Sequence, residues 1–156
     1  MDYNEIDITP VHQGWGQVWQ GGSVDATIKT LPGPLIIICM DLGEDNNQWI
    51  DHQTIQAVVS VWINDSPDAV LPDNVLLSLV RACVGYLESG VNLYIHCAAG
   101  MSRSSYMDIA LHMTLKNLSY QDAYNLVHTQ RPVINPNSGF QAQLQRLEPQ
   151  LKNLVL

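Results

Sequence analysis

Val91-Asn92-Leu93-Tyr94-Ile95-His96-Cys97-Ala98-Ala99-Gly100-Met101-Ser102-Arg103-Ser104-Ser105 decides how this chain folds. Val91 to His96 is a short apolar run, β-branched and aromatic, and predicts a buried strand. From Ser104 onward, Met107, Ala110, Leu111 and Leu115 recur at helical spacing, so a helix leaves where the strand stops. A tight loop from Cys97 to Arg103 joins them. Such a loop turns successive backbone N–H groups toward one centre, and the helix N-terminus adds its positive dipole end. Gly100 supplies a position where positive φ is free of a Cβ clash. Arg103 brings a planar fork that grips two phosphoryl oxygens. Ala98, Ala99, Gly100, Met101, Ser102 and Arg103 therefore read as a phosphate cradle. Cys97 lies at its floor, where an anionic sulfur is favoured.

The rest of the chain alternates strands with helices. Ile6-Asp7-Ile8 opens a sheet, and Pro10 to Gly16 is turn-rich. Gln17 to Gln20 reads as a strand stopped by Gly21-Gly22, with Ser23 capping a short helix through Lys29. Leu35 to Met40 is a continuous apolar run fit for a central parallel strand. Asp41 to Asp51 is polar, with Glu44-Asp45 as a solvated tip. Val58 to Ile63 predicts another strand, ending at Asn64-Asp65. Pro72 suits the first position of a helix whose apolar face holds Val75, Leu76, Leu79, Val80, Cys83 and Leu87. Ser119 opens a capping box, and Asn137 or Ser138 caps a last helix that Pro149 kinks or ends. The pattern predicts a single α/β domain over residues 1–156, with a mostly parallel sheet flanked by helices.

Composition narrows the partners. The net charge of −8 argues against nucleic acid and anionic membranes. No apolar run approaches the ~20 residues needed to span a bilayer, and the acidic start, Met1-Asp2-Tyr3-Asn4-Glu5, lacks a signal-peptide core. Three cysteines in no framework spacing suggest a reducing, cytoplasmic setting. His12, His52, His112 and His128 show no metal-ligand spacing, so neither a metal nor another cofactor is expected. Trp15, Trp49 and Trp62 are expected in the core, with a recognition surface as the alternative. Nothing in the sequence bears on oligomeric state.

His96-Cys97-x-x-Gly100-x-x-Arg103-Ser104 resembles the signature loop of the cysteine-dependent protein tyrosine phosphatases, and its flanks resemble the dual-specificity branch. Even without Ser104, the four fixed letters His96, Cys97, Gly100 and Arg103 at ~5% usage recur by chance only about 10⁻³ times per chain of this length. Arg131-Pro132-x-Ile134-x-Pro136-Asn137-x-Gly139-Phe140-x-x-Gln143-Leu144 is similar to the C-terminal part of that family, and the likeness runs from Val18 to about Leu147. Four departures stand out. Trp19 and Gln20 replace the family's usual strand ending, Ser105 stands where Ala or Pro is usual, and Asp108 occupies an apolar position. A buried carboxylate at Asp108 needs a partner or a widened groove.

The resemblance implies a phosphomonoester hydrolase acting on phosphoserine, phosphothreonine and phosphotyrosine in proteins. Cys97 would be the nucleophile that forms a phosphocysteine, Arg103 and the amides of 98 to 103 would hold the phosphoryl oxygens, and Ser104 would donate a hydrogen bond to sulfur. Asp65 lies 32 residues before Cys97 (97 − 65), matching the family's general acid, with Asp68 the rival and Asp41 and Asp73 more distant alternatives. His96 adjoins Cys97, so strand alternation turns it away from the sulfur and it supports the loop from behind. Asn135 and Asn137 border the site or cap the loop. Some family members protect the nucleophile by a disulfide to a neighbouring strand. Cys39 is the candidate here, or else a small buried hydrophobe. Ala98, Ala99, Met101 and Ser102 carry no charge, which argues against phosphoinositides and RNA 5′-phosphates. Two alternatives remain open at this point. One is a phosphatase for a small or non-protein phosphoester, the other a non-catalytic phospho-binding module.

Overall fold

The computed structural model describes residues 2–6 and 14–154. The expected strand residues Asp7 and Ile8, the turn residues Pro10 to Gln13 and His12 lie outside that range. Five strands form one sheet in the order β1-β2-β5-β3-β4. These are β1 (Tyr3–Ile6), β2 (Val18–Gly21), β3 (Leu35–Cys39), β4 (Ile55–Ser60) and β5 (Asn92–His96). Only β1 runs antiparallel to its neighbour, so the sheet is mostly parallel as expected. β3 and β5 are buried on both faces, which is why each reads as an unbroken apolar run.

The two faces are covered differently. Helices α1 (Asp73–Glu88), α2 (Arg103–Leu115), α3 (Tyr120–Gln130), α4 (Ser138–Arg146) and α5 (Glu148–Lys152) all pack into the core on the face of Ile36, Ile38, Leu93 and Ile95. The other face, with Leu35, Ile37 and Tyr94, is closed by Ile28 and Leu31 from a 3₁₀ segment. Each fully buried Leu or Ile side chain contributes about 1.5–3 kcal/mol. α2 leaves the cradle through the middle of the helical layer, and Ser104 to Leu115 are all buried. Its apolar spacing predicted one core face. Surrounded by α1, α3, α4 and α5, it buries every face instead.

Several boundaries move, each for a local reason. Ser23 does not cap the short helix. Asp25 does, accepting from Thr27 N at 2.8 Å, and the segment Ala26–Thr30 is 3₁₀. The β4 strand begins at Ile55 and ends at Ser60 rather than spanning 58 to 63. Ile63 is buried without being paired in the sheet, so its apolar character marks packing rather than a ladder position. Pro72 is the N-cap of α1, one residue before the helix, and Val75 faces solvent. Ser119 and Asn137 cap α3 and α4 as expected, accepting from Asp122 N and Phe140 N.

Asp108 is fully buried, and His112, one turn on, lies against it. His112 Nδ1 lies 3.0 Å from Asp108 Oδ1 and 2.8 Å from the Asp108 carbonyl oxygen. The ring proton goes to the carbonyl, so the carboxyl oxygens have close contact but no hydrogen-bond donor. His112→Ala opens a cavity beside that buried carboxyl and should destabilise by about 2–5 kcal/mol, whereas replacing both residues by leucine removes a buried carboxyl that has no donor and should be neutral or stabilising. Urea unfolding of the two variants checks the contrast.

Candidate active site

The cradle loop hangs between two fixed ends. β5 delivers Cys97, whose backbone N–H donates to Gly21 O at 3.4 Å, and α2 begins at Arg103. Gly100 has φ +69°, and a Cβ there would lie 2.5 Å from both the Gly21 carbonyl carbon and Arg131 Nη2. The loop is thus pressed against β2 and a buried arginine. Arg131 is fully buried; its Nε donates to Gly100 O at 2.9 Å, and its Nη atoms donate to the side chains of Asp2 and Asn4. That hydrogen-bonded contact holds Asp2 below the usual carboxylate range. Nothing in the sequence marked Arg131 as part of the loop. Its place in the Arg-Pro-x-Ile stretch was the available signal.

Cys97 is 2% exposed, and its Sγ lies 3.4 Å from Ser104 Oγ. Ser104 Oγ accepts from the Cys97 thiol and, at 3.0 Å, from Gln20 Nε2, so neither contact uses its own hydroxyl proton, which is free to turn to an anionic sulfur. Gln20 also donates to Gly100 O at 3.2 Å. The residue that departs from the family's strand ending therefore reaches the site itself. Gln20→Met keeps the volume and removes the donor. One hydrogen bond is worth about 0.5–1.5 kcal/mol, or about 2–10-fold in rate. The expected loss falls on kcat with kcat/KM preserved, as the role that the family resemblance implies for Ser104, a hydrogen bond to the departing sulfur in the second step, requires. Steady-state and burst kinetics read this split.

Arg103 is held along one edge. Its Nη1 donates to Asp41 Oδ1 at 2.9 Å and to Ile63 O at 3.1 Å. Among the described residues no hydrogen bond is made to the other edge of the guanidinium, the geometry that a grip on two phosphoryl oxygens requires. Asp41, weighed from sequence only as a distant acid, is instead bound to the cradle's arginine.

The structure brings Asp65 to the cradle and does not bring Asp68 or Asp73. Asp65 Oδ1 accepts from Ser102 Oγ at 2.6 Å and from Asn137 Nδ2 at 2.9 Å, while Asn137 N donates to Ser102 Oγ at 3.0 Å. Asp65 does not end a strand, since β4 stops at Ser60. Its loop is fixed by packing: a Cβ on Gly139 would come 2.0 Å from Pro67 O, so α4 touches the loop backbone where only glycine fits. Asp68 is exposed, its backbone N–H donating to Ser66 Oγ. Asp73 is committed to Arg146 and Gln143, which hold its carboxyl down at about 2.

His96 is fully buried, on the sheet face away from the helices, beside Tyr94. Burial lowers its pKa to about 4, so the ring is neutral at physiological pH. It accepts from Asn46 Nδ2 at 2.7 Å, and its Nδ1 faces Cys97 O at 3.4 Å. Cys39 is the register partner of His96, so it shares that face and not the face of Cys97. This argues against a Cys39–Cys97 disulfide; burial pushes the Cys39 thiol up to about 11. Glu44 is no solvated tip. It turns inward, and burial followed by a contact with Asp41 raises its pKa above the usual carboxylate range. Trp15 and Trp49 pack on the core, but Trp62 is 65% exposed, just ahead of Ile63.

A family model described as the dual specificity phosphatase catalytic domain matches residues 18–150. The chain belongs to the dual specificity phosphatase family. It carries the catalytic domain of a cysteine-dependent protein phosphatase. Dual specificity protein phosphatase 15 of Rattus norvegicus is 32% identical over 134 residues, covering 75% of this chain and 55% of the relative. Protein 123R of Invertebrate iridescent virus 6, named as a tyrosine phosphatase, is 36% identical over 111 residues, covering 70% and 72%. This chain thus spans about half the length of the rat relative. Among solved structures, the human tyrosine phosphatase-like serine/threonine/tyrosine-interacting protein superposes with a TM-score of 0.73 at 28% identity, covering 95% of this chain and 96% of that one.

Proposed function

We propose that this domain hydrolyses phosphoserine, phosphothreonine and phosphotyrosine in proteins through a phosphocysteine on Cys97. The observation that carries the reading is the placement of Asp65, tied through Ser102 to the loop that holds Cys97 and Arg103. In this mechanism the Cys97 thiolate attacks phosphorus in line, Arg103 and the loop amides take the equatorial oxygens, and Asp65 protonates the leaving oxygen. Asp65 Oδ1 already accepts two hydrogen bonds, so Oδ2 carries the proton that is delivered. Ser104 then stabilises the sulfur as water cleaves the phosphocysteine.

The surroundings favour a protein substrate over a polyanion. Ala98, Ala99 and Met101 are exposed and uncharged, and the chain as a whole is acidic. Trp62, Met101 and Val133 are exposed apolar residues on segments that contact the cradle, and they suit peptide side chains flanking the phosphate. Among the described residues no helix is long and apolar enough to cross a membrane. A panel of phosphopeptides against phosphoinositides and small phosphoesters tests the substrate class. Turnover confined to the non-peptide esters overturns it, and binding without any turnover would assign a phospho-binding module instead.

The chemistry assigned to Cys97 and Arg103 requires no divalent ion. Turnover should survive exhaustive chelation, and vanadate, which imitates the trigonal phosphoryl group, should inhibit competitively. Loss of activity on chelation with recovery on adding a divalent ion would contradict the mechanism.

A further inference from the structure

Cys39 ends β3 and His96 ends β5. As register partners they leave the sheet on the same face, and the loop after β3 folds back to add Glu44. The Cys39 sulfur, a His96 ring nitrogen and a Glu44 carboxylate oxygen all lie within 4.8 Å of one another. Glu44 Oε2 is 3.7 Å from His96 Nδ1, too far for a hydrogen bond, and has no hydrogen-bond partner although it is shut off from solvent. A buried carboxylate oxygen without a donor is costly, and a cation satisfies it. Around a tetrahedral zinc ion, with bonds of about 2.0–2.1 Å to nitrogen and oxygen and about 2.3 Å to sulfur, ligand atoms stand roughly 3.3–3.7 Å apart. From separations of up to 4.8 Å, the three donors need to close by no more than roughly 1.5 Å. We propose that Cys39, Glu44 and His96 form a binding site for a divalent transition-metal ion of the zinc class, with water completing the coordination.

The donor set selects the metal. One thiolate, one imidazole and one carboxylate suit zinc or cobalt and do not suit calcium or magnesium. His96 binds through Nδ1. That nitrogen now carries the ring proton, because Nε2 accepts from Asn46 Nδ2. On coordination the ring proton moves to Nε2, and a half-turn of the Asn46 amide presents Oδ1 to accept it. A ligating histidine is held by an outer hydrogen bond of this kind. Cys39 and Glu44, whose carboxyl burial and the Asp41 contact favour in its neutral form, release their protons to solvent on coordination. Glu44, 21% exposed, forms the entry side, while His96 is fully enclosed. The site is not in the cradle, yet His96 Nδ1 faces the Cys97 carbonyl at 3.4 Å, and coordination withdraws it from that contact. No motif spacing revealed the trio, because its members come from two strand ends and a loop.

This inference stands apart from the catalytic reading, since its test uses Cys97→Ser protein, which lacks the thiol at the cradle floor. Cobalt(II) titrated into that variant should bind at one equivalent, with a thiolate-to-cobalt charge-transfer band and the visible bands of a four-coordinate ion. Zinc should displace it. Adding Cys39→Ser should remove the charge-transfer band, Glu44→Gln should weaken binding by about tenfold or more, and Cys83→Ser should change neither. No charge-transfer band, a band that survives Cys39→Ser, or a band lost with Cys83→Ser would overturn the site. Should the Cys39→Ser chain fail to fold, as judged by circular dichroism, Glu44→Gln on the partly exposed loop decides alone: unchanged affinity refutes the proposal.

Discussion

Cys97→Ser should abolish turnover while leaving phosphate-type ligands bound. A serine hydroxyl is not ionised at neutral pH and has no base beside it here. His96 faces the opposite side of the sheet, and Ser104 Oγ, 3.4 Å from the sulfur, is itself a hydroxyl. The covalent step then has no nucleophile, and losses on the order of 10⁴–10⁶ in kcat follow when such a group is removed. The cradle persists, because its shape rests on Gly100, Arg131 and the Arg103–Asp41 pair rather than on sulfur. Vanadate or phosphopeptide titration should therefore give affinities within a few-fold of wild type. Loss of binding together with turnover would mean that Cys97 shapes the loop rather than attacking phosphorus.

Asp65→Asn should cost an amount set by the leaving group. The amide keeps an oxygen to accept from Ser102 and Asn137, so the loop stays in place and only the transferable proton disappears. A serine alkoxide departs badly unless protonated, and the loss there should approach the roughly 10²–10⁴-fold typical of a general acid. A nitrophenolate leaves unaided and should lose far less. Plotting kcat against leaving-group pKa for a series of aryl esters should give a steep negative slope for the variant and a shallow one for wild type. Equal slopes would take the proton transfer away from Asp65, and Asp41 would be the next group to test, given its contact with Arg103.

How legible this was in the sequence follows from where the information sits. The strand, loop and helix around Cys97 were readable because each is local: an apolar run, a glycine, then helical spacing. The parallel sheet followed from the alternation of elements. β4 was misplaced because Ile63 is apolar for packing, and periodicity does not separate packing from pairing. The supports of the cradle were not readable. Gln20, Asp41 and Arg131 reach it from positions far apart in the chain, through contacts that only the closed fold creates. Glu44 was misjudged for the same reason, since an acidic pair in a polar loop carries no mark of the fold that turns one member inward. Asp108 was read as needing a partner or a widened groove; the fold buries it beside His112, one turn later on the same helix, with no donor to its carboxyl oxygens.

The most direct test of the account is to trap the covalent intermediate. Enzyme mixed with a phosphotyrosine peptide and quenched in acid within the first turnover should yield, on peptide mapping by mass spectrometry, one phosphoryl group on the peptide containing Cys97. Gln20→Met should increase its yield, and Cys97→Ser should eliminate it. Rapid first-turnover release of phosphate with no phosphocysteine, or a phosphoryl group on another residue, would contradict the assignment of Cys97 as the nucleophile.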